Sequence, residues 1–525
     1  MACLFSAELL LISARTPHAA LQNAPGLPGI VFELGLWKVR LLVTLAVVCL
    51  LFWQVRGKEQ ARRLSAFTAG RAIQGRWLLA HVAAIFLFAT LTAVLFENHL
   101  RGLAADLLVV GWAATGAAAV VLGALAILPA SSWKTLLQGT RDVWGYVVVL
   151  VTVGCLLAAY ATPVWQPLAR WTLLLASFML HPLVPGITVD MATRSFGTPR
   201  FMVEVAPACS GYEGIGLILA FTTAWLWFFR KEWRFPRALL LVPLGVATIW
   251  VFNAVRIAML VLIGLWGSPD IAMQGFHSHA GWITFNVVAL GTCLVARRTA
   301  WLTTGSVATS PAAPIAPNST AVYLTPFLAI LGAALIAGAS SARFEWSYPL
   351  RIVAAAAALW YFRDRYRTLN WRVGWPSVGL GAVVFLIWIG LEPLFGSPHM
   401  AEPAALAQAP AVARIAWIAF RILGAVVTVP IAEELAFRGY LLRRLVSADF
   451  ESVAWGAFAW APFLISSVAF GVLHGERWLA GTIAGMIYAY AMLRRGRIGE
   501  AAAAHAVTNA LLAVYVLFTG NWQLW

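Results

Sequence analysis

The feature that most constrains this chain is its succession of long apolar runs. Fifteen of helical length can be marked, at about 36–55, 77–96, 106–129, 144–162, 169–184, 211–229, 237–265, 282–296, 320–340, 347–362, 375–395, 412–432, 455–473, 478–493 and 500–519. A hydrocarbon core of about 30 Å takes roughly 20 helical residues. In lipid the backbone must satisfy its own polar groups, so runs this long are helices rather than barrel strands. Composition agrees: 61% of the residues are hydrophobic, 11% are charged and mean hydropathy is +0.82, whereas a soluble domain is roughly 25% charged. A water-soluble globular domain and a disordered chain are both excluded. The expected fold class is an all-α polytopic membrane protein with two helical membrane domains, eight apolar segments in the first and seven in the second.

The formal charge is +16, from 37 basic and 21 acidic residues. In a soluble protein that excess would suggest nucleic acid. Here the basic residues sit in short loops between apolar runs, so they read as positive-inside signals and no nucleic-acid partner is expected. The clusters from Arg56 to Arg76, from Arg230 to Arg237, at Arg297–Arg298, from Arg363 to Arg372, at Arg443–Arg444 and from Arg494 to Arg497 are assigned to the cytoplasmic side. Parity between residues 56 and 230 does not close, so one segment among 77–184 is expected not to span. Residues 303–320, TTGSVATSPAAPIAPNST, carry no charge and read as an extended linker between domains 1–302 and 321–525. No repeat relates the two halves, so an inverted-repeat transporter is not supported. The five cysteines (Cys3, Cys49, Cys155, Cys209 and Cys293) match no metal knuckle or disulfide framework. No basic residue precedes the apolar stretch 3–12, which argues against a secretory signal.

One constellation of reactive side chains lies in the first half. Residues 200–216 read RFMVEVAPACSGYEGIG and lead into an apolar run. Ser210 and Glu213 have capping-box spacing. Cys209 then falls at a helix entrance, where the dipole favours a thiolate; the plainer alternative is a small loop residue. Arg256, in WVFNAVRIAMLVLIG, sits inside an apolar run at a cost of about 2.5–3.5 kcal/mol, so it should face a polar cavity, unless it snorkels to an interface. It lies nineteen residues beyond Arg237, about 28 Å at the helical rise. His277 and His279, in GFHSHAGW, precede the next run, which ends at Arg297–Arg298. The charge pattern thus puts Cys209, Arg256 and His277 on the non-cytoplasmic face. A thiol, a base and a cationic donor together suit acyl transfer.

PACSG, then NAVRI, then a histidine four residues before Gly281-Trp282 resembles the exosortase/archaeosortase family of membrane transpeptidases over roughly residues 30–300. The resemblance implies Cys209, Arg256 and His277 as the catalytic set, with His279 as the fallback histidine.

The second constellation lies beyond the linker. In PIAEELAFRGYLLRR, Glu433 and Glu434 are adjacent, and Arg438 lies four residues after Glu434, on the same helix face. Paired acids at membrane depth are costly unless functional, and two can divide the roles of base and orienter. FGVLH ends at His474, and HAVTN puts His505 and Asn509 on one face. Each piece alone is commonplace, a core histidine or a helix-end acid pair. Together, EExxxR, FxxxH and HxxxN resemble the CAAX-protease and bacteriocin-processing (CPBP) family of intramembrane proteases over about residues 320–525. The resemblance implies Glu433 and Glu434 as the water-activating pair, with His474 and His505 orienting water or stabilising the oxyanion, and Asn509 and Arg438 in support. Two histidines and a glutamate could hold Zn²⁺, but no H-E-x-x-H is present, so a cofactor-free mechanism is the expectation. The apolar pattern puts Glu433 near the inner face and His474 near the outer one, so some part of 412–473 should dip or be drawn differently.

An exosortase-like half fused to a CPBP-like half resembles the exosortase E/protease subfamily. That implies a bacterial inner-membrane enzyme with its Cys-Arg-His site on the periplasmic face. Its substrates would be membrane-anchored proteins with a C-terminal sorting tail: a VPEID-type motif, a transmembrane helix and a basic end. The rival readings are a transporter or flippase, which calls for midplane charge pairs and repeats, a fusion whose second half is a non-catalytic chaperone or immunity-like module, against which the intact Glu433, Glu434, His474 and His505 argue, and a lipid-linked glycan-processing protein. The 26 tryptophans favour the latter only slightly, since interfacial belts explain them as well.

Overall fold

The computed structural model describes residues 74–97, 102–139, 161–205, 211–304, 318–395 and 400–525. The apolar runs at 36–55 and most of 144–162, the cysteines Cys3, Cys49, Cys155 and Cys209, and linker residues 305–317 lie outside them. By contacts the chain divides into two compact units, Met1–Thr162 and Pro163–Trp525.

In the first unit, α1 (Gly75–Glu97) and α2 (Leu103–Ile127) pack side by side, and a short α3 (Ala130–Gly139) follows. Two polar contacts cross between α1 and α2. Trp112 donates its Nε1–H to Thr92 Oγ1 at 2.9 Å, and a His81 ring nitrogen meets the Ala119 carbonyl at 2.8 Å. Phe88 stacks on Trp112 and lies over Gly116, where a side chain would collide with the ring. At ten residues α3 is about 15 Å long and cannot span.

The second unit opens with α4 (Ala161–Leu180) and a small antiparallel sheet that the apolar pattern alone did not reveal. Its strands are β1 (Thr188–Asp190), β2 (Ser195–Thr198) and β3 (Phe201–Glu204), in that order, with Thr188 opposite Gly197 and Ser195 opposite Glu204. Phe196 and Val203 from the sheet, with Val205 just after it, pack with Leu173 and Leu180 of α4 and with Ile257 and Val261 further along. The sheet therefore anchors the chain immediately before residues 206–210. Next come α5 (Tyr212–Phe228), α6 (Leu241–Trp266) and α7 (Ile271–Arg298), which pack on one another. The first turn of α7, Ile271–Phe276, is a π-helix.

Among the described residues seven longer helices follow: α8 (Ser319–Ala339), α9 (Pro349–Tyr361), α10 (Trp375–Leu391), α11 (running through 411–446), α12 (Trp460–Val472), α13 (Trp478–Arg495) and α14 (Ile498–Thr519), with four-residue helices at Arg363–Tyr366 and Ala404–Ala407 between them. Asn318 caps α8 by accepting from the Thr320 N–H at 3.0 Å. Phe437, Phe470, Tyr488, Met492 and Ile498 form the core of this region. Buried Glu500 ties α14 to α10: it accepts from Ser377 Oγ and from the Gly374 N–H, while Arg495 Nη1 approaches at 3.3 Å. Among the described residues seven helices are long and apolar enough to cross a membrane, and others of 10–17 residues are apolar but short. This is a polytopic, nearly all-helical membrane fold.

Gly211, at φ 95°, stands at the N-cap of α5; Ser210, one half of the expected Ser210–Glu213 capping box, lies outside the described residues. Two local expectations are corrected. His277 and His279 lie inside the continuous α7, not in a loop before it, because a π turn carries the helix through GF. The run drawn as 412–432 continues to Val446, so Glu433 and Glu434 are inside a helix rather than at its end.

Candidate active sites

The first site is built on α5, α6 and α7. Cys209 lies outside the described residues; Gly211, two residues on, is described. Its left-handed conformation and missing side chain let the backbone lie against Asn253 of α6: a Cβ there would sit 2.8 Å from Asn253 Nδ2. Asn253 is buried, and its Oδ1 accepts from Arg256 Nη1 at 3.3 Å. From the other side Arg256 lies close to Gly281 of α7, again where no side chain intervenes. A cavity of about 260 Å³ opens here, lined by Gly211, Glu213, Asn253, Arg256, His277 and Gly281 among others. The arginine thus faces a polar cavity, with α6 running ten residues past it to Trp266, so it is no helix-end residue.

The two histidines separate clearly. His277 lines the cavity with Arg256. His279 turns away: its Nδ1 meets the Gly275 carbonyl at 2.9 Å, and its ring packs on Gly338 of α8. Gly275 in turn is pressed against the Ser341 and Gly338 carbonyls. Glu213 and Asn253 were not singled out as site residues in the sequence. The available signal was position, since Asn253 precedes Arg256 by nearly one turn and Glu213 is the acidic residue in the first turn of α5.

The second site is centred on α11, which changes its winding twice. Gly424–Thr428 and Leu435–Leu442 are π-helical, and the α-turn Val429–Glu434 between them carries Pro430 near its start. Such π segments free backbone groups and often mark functional sites. One carbonyl in the first π segment, Ala425, accepts from Asn509 Nδ2 at 2.7 Å, which gives that asparagine a definite job. Glu434 and Arg438 are both fully buried. Arg438 Nη1 donates to Glu434 Oε1 at 3.1 Å, its Nε lies 3.1 Å from Oε2, and its Nη2 donates to the Gly485 carbonyl at 2.8 Å. The Nε–Oε2 approach is an ion pair without hydrogen-bond alignment, since both atoms lack a hydrogen-bond partner.

His505 bridges the two acids. Its Nδ1 lies 3.1 Å from Glu434 Oε1 and its Nε2 4.0 Å from Glu433 Oε2. Tyr488 stacks on its ring at 4.7 Å between centroids and holds it in plane. Glu433 Oε2 is buried and has no hydrogen-bond partner. The adjacent acids therefore differ: Glu434 is locked by Arg438 and His505, and Glu433 keeps an uncommitted oxygen.

His474 joins through Phe470, whose ring is 4.9 Å from that of His474 and 5.6 Å from that of His505. The conflict of depth disappears because α12 has only 13 residues, about 20 Å, and stops just before His474. Its companion, α11, carries the acids at mid-length. Glu433, Glu434, Arg438 and His505 lie together, Asn509 bonds to α11 at Ala425, and His474 lies alongside. Among the described residues no group of three or more His, Cys, Asp or Glu side chains is arranged to hold a metal ion.

These features define a multi-pass membrane protein with two polar sites set in an apolar frame. Residues 38–295 match the family model Transmembrane exosortase (Exosortase_EpsH), and residues 415–511 match Type II CAAX prenyl endopeptidase Rce1-like. The order and positions of the matches are those that the motifs indicate. Both families are membrane enzymes of the peptidase or transpeptidase type. No curated protein and no solved structure gives a significant match.

Proposed function

We propose that the chain joins two peptide-bond enzymes. The first half is a cysteine transpeptidase acting on C-terminal sorting tails at the periplasmic face of a bacterial inner membrane. The second is a metal-free glutamate endopeptidase. In the first, His277 takes the thiol proton of Cys209 and Sγ bonds to the substrate carbonyl carbon. Arg256 steadies the oxyanion, the C–N bond breaks, and the amine leaves with the proton from His277. Water or an amine acceptor then attacks the thioester, and its proton returns through His277 to Sγ.

In the second, Glu433 takes a proton from water, the hydroxide oxygen bonds to the carbonyl carbon, and the same proton passes to the departing nitrogen. Glu434 holds His505, and Arg438 balances Glu434. The substrates are membrane-anchored proteins with a VPEID-type motif, a transmembrane helix and a basic end.

The observation that supports this most is the pairing, inside a membrane fold, of a bridged acid cluster with a cavity shared by Arg256 and His277. The test co-expresses a tagged tail substrate with Cys209→Ala or Glu433→Gln and maps every product terminus by mass spectrometry. Two cleavage positions, each lost in only one mutant, support two sites. A single position lost in both means one composite site or an obligatory relay, and the two-enzyme reading falls.

A further inference from the structure

Around the Glu433–Glu434 site most hydrogen-bond donors are already committed. Arg438 gives Nη1 to Glu434 and Nη2 to the Gly485 carbonyl. His474 Nδ1 lies 2.9 Å from the Phe470 carbonyl. A carbonyl can only accept, so that nitrogen carries the proton and Nε2 of the neutral ring is left as an acceptor. His505 turns Nδ1 to Glu434, and the Asn509 amide is anchored on Ala425. Neutral His474, with Nδ1–H on a carbonyl, and neutral His505, with Nδ1–H on the Glu434 carboxylate, each keep only an acceptor nitrogen, so neither can donate to an oxyanion.

One donor remains. Trp388, on α10, sits edge-to-face on His474, with ring centroids 5.5 Å apart and planes at 73°. Its Nε1–H is buried and has no partner, as Glu433 Oε2 is buried and has none. Buried tryptophan N–H groups ordinarily find an acceptor. Trp388 is linked to the acids through rings: His474 lies against Phe470, Phe470 against His505, and His505 Nε2 is 4.0 Å from Glu433 Oε2. A hydrolytic transition state requires an open acceptor and an open donor: the acid takes the water proton, and a fixed N–H meets the oxygen on which charge develops.

We propose that Trp388, through its indole N–H, is the oxyanion donor of the second site, and that the group it recognises is the carbonyl of the scissile peptide bond. His474 Nε2 then accepts from the attacking water and orients it. This rests on the endopeptidase reading of the second half.

The test uses the purified full chain in detergent and a library of proteome-derived peptides, with cuts read by mass spectrometry. The best-cut peptide supplies kcat and KM, and a phosphonamidate analogue of that peptide mimics the tetrahedral intermediate. Trp388→Phe keeps the ring stacked on His474 and removes only the N–H. It should lower kcat on the order of 100-fold with KM within about twofold, and weaken the analogue by the same factor as kcat. Unchanged kcat, a loss confined to KM, or undiminished analogue binding overturns the proposal. Glu433→Gln separates the two failures. If it removes cuts that Trp388→Phe retains at full rate, the tryptophan assignment falls alone. If it removes no cut, the endopeptidase reading falls, and this proposal with it.

Discussion

Replacing Arg438 by methionine tests whether the acid pair is held by a buried charge. Arg438 and Glu434 are both 0% exposed, so no solvent screens the pair. The guanidinium has three anchors: two carboxylate oxygens at 3.1 Å and the Gly485 carbonyl at 2.8 Å. It also lies 4.4 Å above the Phe470 ring. Methionine fills much of the volume but strands the Glu434 carboxylate. Breaking a buried pair from one side costs about 3–5 kcal/mol. His505 stays beside Glu434, so the lower end applies, about 3 kcal/mol. For the compact unit Pro163–Trp525 that lowers Tm by about 4 °C. The double variant Glu434→Gln/Arg438→Met removes both charges of the pair and should return to within about 1 kcal/mol of the parent. Thermal unfolding in detergent, followed by circular dichroism, measures the parent, the single variants Arg438→Met and Glu434→Gln, and the double variant. If Arg438→Met melts with the parent, or the double variant loses the sum of the two single losses, the buried pair does not hold the site as argued.

The other predictions concern both halves. Arg256→Lys should nearly abolish tail processing, since lysine keeps the charge but loses the planar fork; processing at the parent rate would reduce Arg256 to a point charge. His277→Ala should be more severe than His279→Ala in the same assay, because only His277 lines the cavity. Gly338→Ala should destabilise by about 1–3 kcal/mol in thermal unfolding, because its new methyl meets the His279 ring. Chelators such as 1,10-phenanthroline should leave second-site cleavage intact; loss of cleavage, restored by added Zn²⁺, would contradict the metal-free mechanism.

Much of this architecture can be read from the chain because apolar runs of helical length leave few alternatives. The runs marked at 211–229, 237–265, 320–340 and 478–493 lie within a few residues of α5, α6, α8 and α13. Glu433, Glu434, Arg438, His505 and Asn509 converge because i,i+4 spacing on apolar helices fixes which side chains share a face. The failures are also physical. Periods of 3.6 residues cannot announce a π turn, so the passages through Ile271–Phe276 and Leu435–Leu442 were read as breaks. The strands at 188–204 are three or four residues long, too short for alternation to show. Trp388 was hidden for another reason. In a chain with 26 tryptophans, nothing in the sequence separates an indole facing lipid from one whose N–H is buried without an acceptor.

The brevity of α9 and α12 bears on the bilayer itself. Each has 13 residues, about 20 Å, against a hydrocarbon thickness of about 30 Å. A membrane meeting such short walls must thin around them or let water descend to their ends. His474 follows the end of one of these helices, so a bilayer that thins there would lower its surface toward that residue. Acyl-chain length then becomes a control on the enzyme. Short-chain lipids relieve the mismatch and long-chain lipids heighten it, so the second half should hydrolyse at rates that follow the thickness of the membrane around it.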